Sequence, residues 1–226
     1  MVAEKVESQQ MVTTAASAGY TMFQGYFFAR PTTLTTHAVT PRRFIALSNP
    51  RPTSLINEAI GDGWLSDLQQ LKRLEPLADD AGFRAQWRAI KRENKQVLAA
   101  RLLRATGISA DPDSIFDIQV KRIHEYKRQH LCMLQVIDLY QRVCADPTLR
   151  IAPRTFIFGG KAAPGYRAAK LIIKFITSVA EVVNHDPAVR GLIKVIFLPN
   201  FNVSAGHDVY PAADVSEQIS TAGKEA

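Results

Sequence analysis

Ile115-Phe116-Asp117-Ile118-Gln119-Val120 is short, rich in β-branched residues and partly alternating, as a strand should be. A stretch of about 20 residues with helical spacing follows, with Leu131, Leu134, Ile137, Leu139 and Val143 among its apolar positions. Thr155-Phe156-Ile157-Phe158 is a second apolar run and ends in Gly159-Gly160. A second helix is predicted from about Pro164 to Val183, with Leu171, Ile172, Phe175, Ile176 and Val179 apolar. Leu192-Ile193-Lys194-Val195-Ile196-Phe197-Leu198 is a third strand. Strands that read as nearly continuous apolar runs, alternating with helices, imply a parallel sheet covered on both faces. The fold class is therefore α/β, a partial doubly wound parallel sheet preceded by helices.

Outward from this core the chain changes texture. Residues 1–36 are rich in Ser, Thr, Ala and aromatics, residues 37–110 read as helices, and residues 111–226 hold the βαβαβ portion. Thr40-Pro41 looks like a helix start, Asn49-Pro50-Arg51-Pro52 an interruption, and Thr53–Ile60 a restart that Gly61 ends. From about Asp80 to Ala105 a long helix is predicted. Phe83, Trp87, Ile90 and Val97 fall near one face, and Arg84, Arg88, Lys91, Arg92 and Lys95 read as a solvated one.

Composition narrows the function classes. The 226 residues are 46% hydrophobic, enough for a buried core and too many for a wholly disordered chain. Lys and Arg number 28 against 21 Asp and Glu, a net charge of +7 that favours anionic partners. Cys132 and Cys144 are too few for a disulfide framework, and neither they nor the histidines show metal-ligand spacing. No apolar run approaches the roughly 20 residues of a membrane span, and the first residues lack the apolar core of a signal peptide. The expectation is a cytoplasmic globular protein with no metal and no membrane partner. Without a nucleic-acid motif or a stacking platform, nucleic acid is not expected as a partner.

Ligands in open α/β sheets bind outside the carboxyl ends of the strands. After the first strand comes Lys121-Arg122-Ile123-His124-Glu125-Tyr126-Lys127-Arg128, with four cations in eight residues. If it enters the helix, Arg122 and Tyr126 share one face. Arg can fork two phosphate oxygens and Lys adds a point charge, so the stretch is either a dianion site or a basic first turn facing solvent. After the second strand, Gly159-Gly160-Lys161-Ala162-Ala163-Pro164-Gly165-Tyr166 either approaches a ligand or turns tightly for packing. After the third, Pro199–Ser204 reads as a loop. The small, polar tail Ser216–Ala226 suits either a backbone-lined anion pocket or a frayed terminus.

Five stretches carry a resemblance: Val39-Thr40-Pro41-Arg42-Arg43; Phe116–Val120 running into Lys121–Arg128; Gly159–Tyr166; Val182-Val183-Asn184-His185-Asp186-Pro187; and Pro211–Gly223. Together they closely resemble α-glucan phosphorylases over about residues 39–226. The resemblance implies part of the cofactor-bearing C-terminal α/β domain of a two-domain glycosyltransferase. That family uses pyridoxal phosphate and transfers a terminal glucose from an α-1,4-glucan to inorganic phosphate, giving glucose 1-phosphate. By the same resemblance Arg122 and Lys127 would hold the substrate phosphate and Lys121 would sit by the cofactor phosphate. Tyr126 and Glu225 would contact glucose hydroxyls, and the parent would be a homodimer. The family's Schiff-base lysine ends a Glu-Ala-Ser-Gly-Thr-Gly-Asn-Met-Lys run, of which this chain has Glu225-Ala226. The covalent lysine is therefore expected to be absent and the isolated chain inactive, the alternative being a noncatalytic phosphate- or partner-binding remnant. Thr36-His37-Ala38 stands where the family usually has Thr-Asn-Gly, Phe44 where it has Trp, and Phe201 where Tyr is common.

Residues 1–36 read differently. Ala3–Ser8 and Gly19–Pro31 resemble the end of an EAL-type cyclic-dinucleotide phosphodiesterase domain, with Glu4 and Gln24 at that family's active-site positions. Most of that barrel is missing, so no metal site is expected from it.

Overall fold

The computed structural model describes residues 46–221 together with two short strands, β1 (Val2–Ala3) and β2 (Met22–Phe23), which pair in parallel. The Thr40-Pro41 helix start, Phe44, Glu4, Gln24 and Glu225 lie outside the described residues. The chain divides into two compact units between Glu93 and Asn94.

In the first unit, helix α1 spans Pro50–Ile60. The interruption falls at Asn49, and the helix restarts at Pro50 rather than at Thr53. Proline suits the first helical turn, where its missing N–H costs nothing and its φ is already helical. Gly61, at φ 81°, ends the helix with its N–H donating to the Asn57 carbonyl. Ile56 and Ile60 pack with Trp64 and Leu71, and the Trp64 indole donates to Asn57 Oδ1 at 2.8 Å.

Helix α2 runs over Ala81–Thr106, as its periodicity predicts, but the buried face differs. Trp87 and Val97 are 42% and 44% exposed, and the buried residues are Lys95, Leu98 and Leu102. That stripe at i, i+3 and i+7 is itself helical. Lys95 escapes a scan for apolar residues because its ammonium is satisfied by the Ser114 carbonyl at 2.6 Å and Asp214 Oδ2 at 2.7 Å.

The second unit holds a four-stranded parallel sheet. Strand β3 (Ile115–Val120) leads through helix α3 (Gln129–Ala145) to β4 (Arg154–Gly159), then through α4 (Arg167–His185) to β5 (Ile193–Leu198). Ile118 pairs with Ile157, and Ile157 with Ile196. Two further elements were not legible as such. Helix α5 (Val203–Ala212) follows Asn202, whose side chain caps it by accepting from the Ala205 amide at 3.0 Å. Strand β6 (Val215–Ser216) pairs with β3, so the sheet order is β5-β4-β3-β6.

The pleat sends alternate residues to two cores. On one face Phe156, Phe158, Ile193 and Val195 meet Cys132, Met133 and Val136 of α3 and Ile172 and Ile176 of α4. On the other face Phe116, Ile118, Val120, Ile157 and Ile196 meet Leu98 and Leu102 of α2 and Val209 of α5. Ile172 and Ile176 are buried as predicted, whereas Leu131 and Leu134 are 45% and 54% exposed. Helix α3 docks instead through the stripe Cys132, Met133, Val136 and Val143.

Candidate functional site

Helix α3 leaves β3 over one face of the sheet, and α5 reaches β6 over the other. The winding therefore reverses between β3 and β6. The carboxyl ends of strands at such a switch point diverge and leave a crevice. The basic stretch after β3 and the tail after β6 meet there.

Residues 121–128 do not enter α3. The ladder first continues past the strands, with the Lys121 amide donating to the Gly159 carbonyl at 2.9 Å and the Ile123 amide to the Lys161 carbonyl at 3.3 Å. A single 3-10 turn follows at Glu125–Lys127, capped by His124 Nδ1 accepting from the Tyr126 amide. Arg128 then adopts φ 55° and α3 starts only at Gln129. The predicted shared helical face of Arg122 and Tyr126 is therefore not formed. Sequence spacing missed this because a left-handed residue breaks the helix without any Gly or Pro to signal it.

Gly160 explains how the loops after β3 and β4 can touch. A Cβ there would lie 2.0 Å from the Lys121 carbonyl oxygen and 2.9 Å from Ile123 Cδ1. Of the two readings of the double glycine, packing accounts for Gly160. Phe201 also packs here, its Cβ near Gly159 and its ring against the α2/α5 core.

The loop brings together four of the five candidate residues, Lys121, Arg122, Tyr126 and Lys127; Glu225 lies outside the described residues. Lys121 is 7% exposed, and its Nζ donates to Gln218 Oε1 at 2.6 Å. Lys127 is buried and lies 5.3 Å from the Tyr126 ring centroid. Arg122 is exposed. The Tyr126 ring packs tilted against His124 at 4.0 Å, and His124 tilted against Tyr166 at 4.8 Å, while the Tyr166 hydroxyl donates to Glu125 Oε2 at 2.8 Å.

The tail is not frayed as far as it is described. The Glu217 amide donates to the Ile118 carbonyl at 2.7 Å, and the Thr221 amide to the Tyr126 carbonyl at 2.8 Å. Beneath the loop, Asp117 lies within a 3.2 Å ion pair with Arg154. Burial and the nearby Glu217 carboxylate push the Asp117 carboxyl up to about 7, against the opposing pull of Arg154. Burial, with Glu217 and Asp117 nearby, also pushes the Cys132 thiol up.

Two buried glutamines complete the loop, and sequence reasoning singled out neither. Gln119 Nε2 donates to the Lys127 carbonyl at 3.0 Å, and Gln129 Nε2 to the Arg122 carbonyl at 3.1 Å. No local signal marks them, because an amide within a strand or at a helix start gains its partner only from the folded loop. Converging Arg and Lys on a strand-end loop suits a phosphate dianion. Among the described residues, no group of three His, Cys, Asp or Glu is placed to hold a metal ion, and no helix is long and apolar enough to cross a membrane.

Comparison with known proteins identifies the family. The carbohydrate phosphorylase family profile matches residues 8–226. Residues 8–36, for which the sequence predicts a different parentage, lie inside that match. The chain is 62% identical over 191 residues to a glycogen phosphorylase of Synechocystis sp., covering 84% of this chain and 22% of that protein. It is 51% identical over 208 residues to a glycogen phosphorylase of Chlamydia trachomatis, covering 91% and 25%. With the muscle form of glycogen phosphorylase from Oryctolagus cuniculus the identity is 52% over 191 residues, covering 84% and 23%. The chain thus spans about a quarter of the length of the curated relatives it matches.

Proposed function

The chain belongs to the carbohydrate phosphorylase family, and on that premise we propose that it carries the phosphate-handling part of an α-1,4-glucan phosphorylase active site. In that reaction a terminal glucose passes to inorganic phosphate and leaves as glucose 1-phosphate. Arg122 and Lys127 bind and orient the substrate phosphate, Arg122 through a forked pair of donors and Lys127 as a point charge. Tyr126 and Glu225 contact the glucose hydroxyls. The observation that supports this most directly is the loop itself: Lys121, Arg122, Tyr126 and Lys127 share one irregular turn at the carboxyl end of β3, beside the reversal of the sheet.

The cofactor assigned by this reading is pyridoxal phosphate, and Lys121 is the residue of this chain that would hold its phosphate. A buried ammonium at the carboxyl end of β3, held by Gln218 Oε1 at 2.6 Å, suits a phosphate group as a compact point charge. When bound, the cofactor's phosphate supplies proton transfer beside the substrate phosphate. The chain's cations offset the repulsion between the two phosphates, which is strongest where water is excluded. The parent is proposed to be a cytoplasmic homodimer.

The test is the phosphorolysis of maltodextrin by a longer protein that contains these residues, with glucose 1-phosphate as the readout. Activity that falls at least about a hundredfold in Arg122→Ala supports the reading, that being the scale of losing a charged group aimed at the reacting phosphate. Full activity in both Arg122→Ala and Lys127→Ala overturns it.

A further inference from the structure

The three loop residues proposed to touch substrate have one feature in common: the backbone carbonyl of each is held from outside the turn. Gln129 Nε2 holds the carbonyl of Arg122 at 3.1 Å, the Thr221 amide that of Tyr126 at 2.8 Å, and Gln119 Nε2 that of Lys127 at 3.0 Å. The turn itself is a single capped 3-10 step, Glu125–Lys127, and Arg128 closes it in the left-handed region at φ 55°. Such a turn has few internal bonds to define where its side chains point.

Gln119 and Gln129 are both essentially inaccessible, at 1% and 0% exposure. Burying an amide is unfavourable unless its polar atoms are used. Gln129 uses both ends, since its Oε1 also accepts from the His124 amide at 3.5 Å. Gln119 uses one: its Nε2 is spent on Lys127, and its buried Oε1 has no partner among the described residues. A residue chosen for core stability at that strand position would be apolar, like the buried Phe158 that it pairs with in β4. An amide kept there with one atom unsatisfied points to what its other atom does.

We propose that Gln119 and Gln129 are positioning residues of the phosphate site. Gln119 sets Lys127 and Gln129 sets Arg122, each by fixing the backbone from which the cation projects. Neither reaches the ligand. A cation held in place before binding loses less freedom on binding, so the clamps act on phosphate affinity more than on stability. This inference rests on the phosphate reading of the loop given above.

The experiment titrates the 226-residue chain with inorganic phosphate by calorimetry and follows amide hydrogen exchange across residues 121–129. Gln119→Met keeps the volume and removes the donor. It is expected to weaken phosphate binding about tenfold, the effect of one lost hydrogen bond to an ordered carbonyl. Exchange at Lys127 and Arg128 should quicken while the melting midpoint moves by only a few degrees. Gln119→His, whose Nε2–H has similar reach, is expected to restore most of the affinity. Unchanged phosphate affinity in Gln119→Met overturns the inference, as does an equal loss in Gln119→Met and Gln119→His. Should the unaltered chain show no saturable phosphate binding, it is the phosphate reading that fails. The clamp is then decided by exchange alone: faster exchange confined to the loop supports it, and an unchanged loop overturns it. Gln129→Met, read at Arg122 and His124, carries the same test if Gln119→Met does not fold.

Discussion

Lys95 Nζ on α2 lies 2.7 Å from Asp214 Oδ2, although the two are 119 positions apart in the chain. The same carboxylate oxygen accepts from the Phe116 amide at 2.8 Å, at the start of β3. One ion pair thus ties helix α2, the first residues of β3 and the approach to β6. Whatever fixes β6 beside β3 also fixes the tail that holds Tyr126 and Lys121.

Removing one partner of a mostly buried pair leaves an uncompensated charge. Lys95→Met should therefore destabilise the chain by about 3 kcal/mol. The pair Arg101–Asp208, at 2.6 Å, has a more exposed cation, 36% against 9% for Lys95, and should matter less, with Arg101→Met costing about 1 kcal/mol or below. Urea denaturation of both variants is the check, and equal costs would refute the distinction.

Gly160 and Gly165 should respond oppositely to alanine. A methyl at Gly160 meets the Lys121 carbonyl, and at Gly165 it meets nothing within 4 Å. Gly160→Ala is expected to cost about 1–3 kcal/mol by overpacking and to open the loop ladder. Gly165→Ala, at ordinary φ, should be neutral or stabilise by roughly 0.5 kcal/mol through the unfolded chain. Thermal melts with amide exchange at Lys121 and Ile123 would separate the two.

Asp117 predicts a pH dependence. Its carboxyl is raised from the ordinary 3.8 to about 7 in the folded chain, by burial first and then by Glu217. Between those values the folded state holds a proton that the unfolded state has released. Its contribution is thus fully present below about pH 4, is lost as the pH rises through about 7, and is level above that. Asp117→Asn should flatten this decline. Denaturation midpoints measured from pH 5 to 8 decide it, and parallel profiles in the variant and the unaltered chain would rule Asp117 out as the source.

Asn184 closes the outer edge of the sheet. Its Nδ2 donates to the Val195 carbonyl at 2.7 Å, and its Oδ1 accepts from the Val195 amide at 2.9 Å. Asn184→Leu leaves both backbone groups of a buried strand position unpaired, at a cost of about 1–3 kcal/mol. Because an unpaired edge also templates association, light scattering on warming should rise in the variant. A monodisperse, equally stable Asn184→Leu would contradict this role.

The stretch Val182–Pro187, one of the motifs that carried the family resemblance, is thus architectural. Asn184 serves β5, and Asp186 accepts from the Tyr140 hydroxyl at 2.6 Å and from the Ala188 amide at 2.8 Å. A motif shows that residues matter and does not say whether chemistry or packing is the reason. The cation stretch was legible for a different reason. Four cations directly after an apolar strand are anomalous in composition, and strand ends are where α/β ligands bind.

Alternation of apolar runs with helical spacing was enough, in the sequence alone, to determine a parallel α/β sheet and to single out the stretch after β3 as a candidate site. Those signals are local: each records only that a segment must bury one face. The tertiary structure alone decided which surfaces meet. It placed β6 against β3, turned Lys95 inward to Asp214, and unwound residues 121–128 from the helix that their spacing suggested. It also set two glutamines under the loop. These depend on groups far apart in the chain satisfying one another's charges and hydrogen bonds, and no periodicity carries that information.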